Sequence, residues 1–273
     1  QAAMSIASPV TGDQLNMTNH TWSFSVRETR EALGLQYLKV LNDYTALALA
    51  LPFLGEDQCI KVGAGEILAG HPRAVLGPGT GLGVSGVVPV GDHWIPLESE
   101  GGHTSYGPVN AREQQIIEVV REKMSHVSAE SLVSGPGLSL IYEVITRLDE
   151  GEAKKISPGE VTELALKDNC AIATESLEIF CGILGTVAGN LALTLGARGG
   201  VYIGGGIILR IIDTFTGSSF RERFEQHGRL TRYLQKIPTY VINTDYPALT
   251  GAVVALGEAY ENVGVVSHAR VPS

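Results

Sequence analysis

A chain of 273 residues, 44% of them hydrophobic, can bury a sizeable core in one large or two modest domains. Its 29 acidic residues against 20 basic ones give a net charge of −9 without a basic run or basic helix face, so nucleic acid is not an expected partner. Cys59, Cys170 and Cys181 fit neither a disulfide framework nor a zinc motif by spacing, which suits a reducing, cytoplasmic setting.

No uninterrupted apolar run reaches the roughly 18 residues of a membrane span, and no signal peptide is visible, so no membrane partner is expected. Residues 1–8, QAAMSIAS, read as a strand entering the turn Pro9–Asp13. A chain that opens inside an apparently buried strand, without an initiating Met, is expected to lack its beginning. TNHTWSF, Thr18–Phe24, reads as a polar and aromatic loop leading to a short strand. Ser25 then precedes a short amphipathic helix, VRETREALG, ended by Gly34 at the favoured C-terminal position. LQYLKVLND alternates as a strand that delivers Asn42 and Asp43 at its C-terminal end, and TALALALPFL continues as a helix limited by Pro52.

Two strands are expected from Arg73 to Val90, joined by GPGTGLG, and WIPLESEGGH (Trp94–His103) reads as a loop with two more glycines. Helical patterns fill Ala111–Gly196. Ser128 before AESLV marks one start, and Ser157-Pro158-Gly159-Glu160 marks another with capping-box spacing and proline at the first helical position. Asn169–Leu195 is apolar on most faces and reads as a central buried helix. GGVYIGGGI is a short buried strand feeding a triple-glycine turn, KIPTYVIN a further strand and PALTGAVVALGEAY a last helix, with a weakly patterned tail after Glu261. Strands interleaved with helices make this an α/β protein.

Several of these stretches carry chemistry. Glycine lets a backbone take positive φ and lets a ligand approach its N–H groups, so GPGTGLG suits a phosphate cradle; it also suits an ordinary tight hairpin. Asp43 could accept a proton from a hydroxyl that Asn42 holds, since strand C-termini are where α/β sheets place ligands; the same pair suits a turn or a helix N-cap. Glu100 and His103 offer a carboxylate and an imidazole on a glycine-flexed loop, which is either a site or a solvated turn. Without accompanying His or Cys, a zinc centre lacks ligands there, and no metal-ligating residue is assigned. Glu130 sits in a first helical turn, where the helix dipole favours acidic residues in any case.

The order of these stretches changes their weight. SPVTGD, MTNHTW, LNDYTA, GPGTGLGV, ESEGGH, HVSAESLVSGPGL, GNLAL and GGVYIGGGI follow one another over nearly the whole chain. In that order the sequence resembles the bacterial glucokinase family, in the sugar-kinase branch of the actin-like ATPase (ribonuclease H-like) superfamily. The resemblance implies a two-domain α/β fold with an interdomain cleft, residues 1–53 plus 245–273 forming the smaller domain and 54–244 the larger. It implies ATP-dependent phosphorylation of glucose to glucose 6-phosphate, with Mg²⁺ as cofactor and a homodimer as the working form. Asp43 would be the general base for the 6-hydroxyl, and Asn42, Glu100, His103 and Glu130 would bind the other hydroxyls. Gly79, Thr80, Gly81 and Gly83 would face the nucleotide's phosphates, and Gly204, Gly205 and Gly206 its adenosine.

One departure stands out: the family's first phosphate loop, Asp-x-Gly-Gly-Thr-Asn, occurs nowhere in the sequence. It is expected on an N-terminal segment; without it, a non-catalytic glucose-binding fragment or sensor is the alternative. A kinase for another hexose or an amino sugar is the other. The related open-reading-frame kinases and repressors usually carry a cysteine-rich zinc motif after the glycine–histidine segment, whereas TSYGPVNARE follows here, which argues against that branch.

Overall fold

The computed structural model describes residues 1–17 and 21–268, with side chains of the last helix described as far as Gly257. Thr18–His20, within the MTNHTW match, and the tail from Ala269 lie outside the described residues. Strand β1 (Ala2–Ile6) precedes a small antiparallel hairpin of β2 (Gln14–Asn16) and β3 (Ser23–Ser25). Helix α1 (Val26–Ala32) starts on Ser25, whose hydroxyl accepts from Glu28 N, and ends just before Gly34. Strand β4 (Leu38–Asn42) pairs in parallel with β1, setting Asn42 opposite Ile6, and α2 (Asp43–Ala50) follows without a break.

The remaining strands form one six-stranded sheet, and all the later helices but the last build around it; the last packs on α2 and β1. These elements begin with β5 (Cys59–Val62), β6 (Arg73–Pro78), β7 (Leu82–Val90) and β8 (His93–Leu97). Five helices come next: α3 (Ala111–Arg121), α4 (Ala129–Leu132), α5 (Gly135–Glu150), α6 (Pro158–Leu166) and α7 (Ala171–Leu195). Strand β9 (Val201–Ile203) leads to α8 (Gly206–Arg210), α9 (Ile212–Gly217), α10 (Phe220–Glu225) and α11 (Thr231–Leu234). The chain closes with β10 (Thr239–Ile242) and α12 (Pro247–His268). The strand order is β5-β10-β9-β6-β7-β8, with β10, β9 and β6 parallel and the outer strands antiparallel to their neighbours.

The α/β reading holds, with several differences in detail. Trp94–Leu97 belongs to a strand, not a loop; β8 lies at the sheet's edge, where Pro96 is tolerated because one side of the strand needs no donors. The short strand β5 is an element the sequence pattern did not announce. The last helix runs past Glu261 to His268, there being no proline to stop it before Pro272.

Helix α7 is the expected central helix, buried at Phe180, Cys181, Leu184, Ala188 and Ala192 among others. Its length and composition would suffice to cross a bilayer, which the lack of an uninterrupted apolar run concealed, but 67% of that stretch is buried inside the protein. Apolar on most faces, it serves as the core against which α5, α6 and α10 pack.

Helix α2 positions the site. The run TALALA gives it apolar residues all round, and every residue from Thr45 to Ala50 is buried. Leu47, Ala48 and Leu51 pack on Val75, Val87, Tyr202 and Ile242 of the large sheet, while Ala46 and Leu49 pack with Leu41 and Ala255. Gly251 of α12 meets the Ala46 carbonyl so closely that a Cβ there would overlap it. The start of α2, which carries Asp43, is therefore held between the large sheet and α12.

Candidate active site

Asn42 is the N-cap of α2. Its Oδ1 accepts from Tyr44 N at 2.9 Å and Thr45 N at 3.2 Å, while its Nδ2 donates to Ser8 O at 3.3 Å. The capping role read from sequence is thus real, and the same bonds fix the strand end at which Asp43 stands. Asp43 Oδ1 accepts from Tyr44 N at 2.9 Å. Burial raises the Asp43 carboxyl above its ordinary value of 3.8, against the opposing effect of its hydrogen bonds.

His103 and the two glutamates come together. His103 Nδ1 lies 3.8 Å from Glu130 Oε1, and His103 Nε2 lies 4.0 Å from Glu100 Oε2. Gly101-Gly102 makes this possible: the two residues lie so tightly on β7 that side chains there would overlap Val84 and the Leu82 carbonyl. The chain after His103 then pairs with the segment before α4, through Tyr106 N to Val127 O at 3.0 Å and Ala129 N to Thr104 O at 2.9 Å. Ser128 caps α4 and leaves Glu130 facing His103.

Glu130 also reaches the glycine hairpin. Its Oε2 accepts from Leu82 N at 2.8 Å and occupies the space where a side chain at Gly81 would stand. Gly83 is filled by the Tyr44 ring and Gly205, at φ +91°, by the Pro78 carbonyl. At these three positions the close approach is made by the protein's own groups. Gly79 and Gly206 instead face open space, and Thr80 is exposed. Gly204 N donates to Leu76 O at 2.9 Å, tying the triple-glycine turn to β6.

Beside these turns lies a cavity of about 300 Å³, lined by Leu138, Pro158, Thr162, Leu166, Ile207 and Arg210 among others. Gly135, at the start of α5, links the two: its N–H donates to Gly79 O at 2.8 Å, and it neighbours Pro158 and Ile207. The structure therefore gathers Glu100, His103 and Glu130 on one side of the hairpin, with Asp43 joined to it through Tyr44. Gly79 and Gly206 have open space beside them, and Thr80 is exposed. Sequence reasoning missed Tyr44 and Gly135. Tyr44's place directly after Asp43 was the signal for the first, and the glycine pair in SGPG the signal for the second.

Comparison with known proteins gives one consistent result. The glucokinase family model matches residues 1–259. The chain is 50% identical over 262 residues to the glucokinase of Neisseria gonorrhoeae, covering 96% of this chain and 80% of that protein. It is 49% identical over 262 residues to the bifunctional protein glk of Paraburkholderia xenovorans, but spans 41% of that longer protein's length. The crystal structure of a glucokinase from an Antarctic psychrotroph superposes with a TM-score of 0.87 at 35% identity, covering 94% of this chain and 80% of that one.

Proposed function

This chain belongs to the glucokinase family, and from that membership we propose that it transfers the γ-phosphoryl group of ATP to the 6-hydroxyl of glucose. Its fold is the two-domain α/β fold of actin-like ATPase sugar kinases. We assign residues 1–53 with 245–273 to the smaller domain and 54–244 to the larger. In this reading Asp43 takes the proton of the 6-hydroxyl, the oxygen attacks the γ-phosphorus, and the bond to the leaving ADP breaks. Phosphoryl transfer relies mainly on positioning and charge stabilisation, so one oriented carboxylate of raised basicity suits the task.

The observation that carries the proposal is the double engagement of Glu130. One carboxylate oxygen faces His103, in the cluster that this reading assigns to the sugar hydroxyls, and the other holds the backbone of the glycine hairpin. A sugar presents many hydroxyls, and the two carboxylates and the imidazole of Glu100, His103 and Glu130 suit them; such sites discriminate strongly against analogues that lack one hydroxyl. The open space at Gly79 and Gly206 suits phosphates and ribose, and the neighbouring cavity, with Leu138, Pro158 and Ile207, suits a purine.

ATP enters as its magnesium complex. Mg²⁺ is commonly held by one or two carboxylates and the substrate's own phosphates, and among the described residues no three ligating side chains gather into a separate metal cage. A homodimer is supported by Tyr246, Leu249 and Val253, an exposed apolar stripe at the start of α12 and just before it. The net charge of −9 supports neither nucleic acid nor an acidic membrane as a partner, and three free cysteines support a cytoplasmic setting. A coupled assay for glucose 6-phosphate with wild type and Asp43→Asn tests the proposal. Turnover lost in the variant, with glucose still bound, supports it. Glucose binding without turnover in the wild type would favour a sensor.

A further inference from the structure

We infer that Tyr44 is a positioning residue, coupling the carboxylate of Asp43 on the sugar side to the two glycine turns on the nucleotide side; the inference rests on the kinase reading above. Three glycines converge on this side chain, two from the strands of the hairpin and one from the triple-glycine turn. The hydroxyl donates to Gly77 O at 2.8 Å, and the ring covers Gly83 so closely that a Cβ there would overlap it. Gly77 and Gly83 face each other across β6 and β7, so one ring holds both strands of the hairpin just below its turn. A Cβ on Gly77 would overlap both the Tyr44 hydroxyl and the Gly204 carbonyl, and the Gly204 side-chain space lies 3.7 Å from the same hydroxyl. Gly204 is in turn bonded to β6 through Leu76 O.

The chemistry of the phenol suits a permanent brace. Burial, with a further contribution from the neighbouring Asp43 carboxylate, pushes it well above the usual tyrosine range. It therefore remains a neutral donor wherever the protein is folded and working. Tyr44 also stands one residue from Asp43 at the start of a helix buried on all sides, so neither can shift alone. A displacement of about 1 Å between base and phosphoryl group can cost on the order of a hundredfold in rate, which is the scale on which such a brace matters.

The test uses the full-length protein and measures ATP affinity by calorimetry, steady-state constants and thermal melting. Tyr44→Phe keeps the ring and loses the bond to Gly77. It should weaken ATP binding and lower kcat by about three- to tenfold, the range of one neutral hydrogen bond. The KM for glucose should stay within about twofold, because the glucose-side groups are untouched. ATP affinity and kcat at wild-type values would overturn the inference.

A double-mutant cycle supplies a readout that general destabilisation would not move. Gly83→Ala should weaken ATP binding in the wild type and do so at least about fivefold less when Tyr44 is already alanine, since the overlap is then relieved. Equal penalties in both backgrounds would overturn the coupling; Tyr44→Leu replaces the alanine variant if that variant melts below the assay temperature. A wild type that binds ATP without phosphorylating glucose would remove the proposed function while the cycle still decides this inference. A wild type that binds no ATP would remove both.

Discussion

Asn42 and Asp43 share a single donor: the backbone N–H of Tyr44 lies 2.9 Å from Oδ1 of each. The cap of α2 and the candidate base are thus one hydrogen-bonded unit, and a change at either reads out on the other.

Asp43→Asn keeps an acceptor for Tyr44 N but loses basicity. It is expected to lower kcat by at least about a hundredfold, the contribution of a general base, with glucose affinity within about tenfold of wild type. Retention of most of kcat in a coupled assay would remove Asp43 from the role of base.

The same residue sets a pH dependence. Because burial raises its carboxyl above 3.8, and the base acts ionised, the acid limb of kcat should lie above that value. A raised carboxyl means that the folded state favours the neutral form. Its stability contribution is full below the unfolded pKa and is lost as pH rises through the folded one. Asn carries no charge to bury, so the variant should melt higher than wild type at neutral pH, and the difference should shrink in acid. Melting curves across that range check the sign.

Glu130 separates two functions by substitution. Glu130→Gln can still accept from Leu82 N and should raise the KM for glucose more than that for ATP. Glu130→Ala frees the hairpin and should raise both, since a backbone N–H loses its partner at a cost of about 1–3 kcal/mol. His103→Ala, with no bond to the hairpin of this kind, should follow the glutamine variant. An effect of Glu130→Gln confined to ATP would overturn its assignment to the sugar.

Away from the site, Glu113 on α3 is 2% exposed and accepts from Arg223 of α10 at 2.7 Å and from the Tyr106 hydroxyl at 2.7 Å. Arg223→Met would strand a buried charge and is expected to lower stability by about 3–5 kcal/mol. Adding Glu113→Gln should restore part of it; denaturant unfolding of the single and double variants measures this.

Chelation tests the metal. Removing Mg²⁺ should stop turnover and adding it back restore it, whereas a zinc-selective chelator should leave the rate unchanged. Loss of activity with the latter alone would point to a zinc dependence that the residues do not suggest.

Much of the architecture was legible because it rests on local signals. Ser25, Ser128 and Ser157 begin helices where their side chains can cap them, and Gly34 ends one where it can take φ of +64°. The apolar character of TALALA and of residues 171–195 marked two helices that could be stable only when surrounded. Strand β8 escaped because Pro96 argues against a strand unless it lies on an edge, and edge position is a property of the assembled sheet.

The sequence by itself determined which residues are candidates for the chemistry and in what order: Asn42-Asp43, the glycine hairpin, Glu100 to His103, Glu130 and the triple-glycine turn. Only the tertiary structure decided what the glycines are for. Read along the chain, GPGTGLG suits a phosphate cradle or an ordinary hairpin; folded, Gly81 and Gly83 are cleared for Glu130 and Tyr44, while Gly79 stays open. The physical reason is that a missing side chain marks only that something comes close. Which group fills that space depends on contacts such as Glu130 to Leu82, made between residues 48 positions apart.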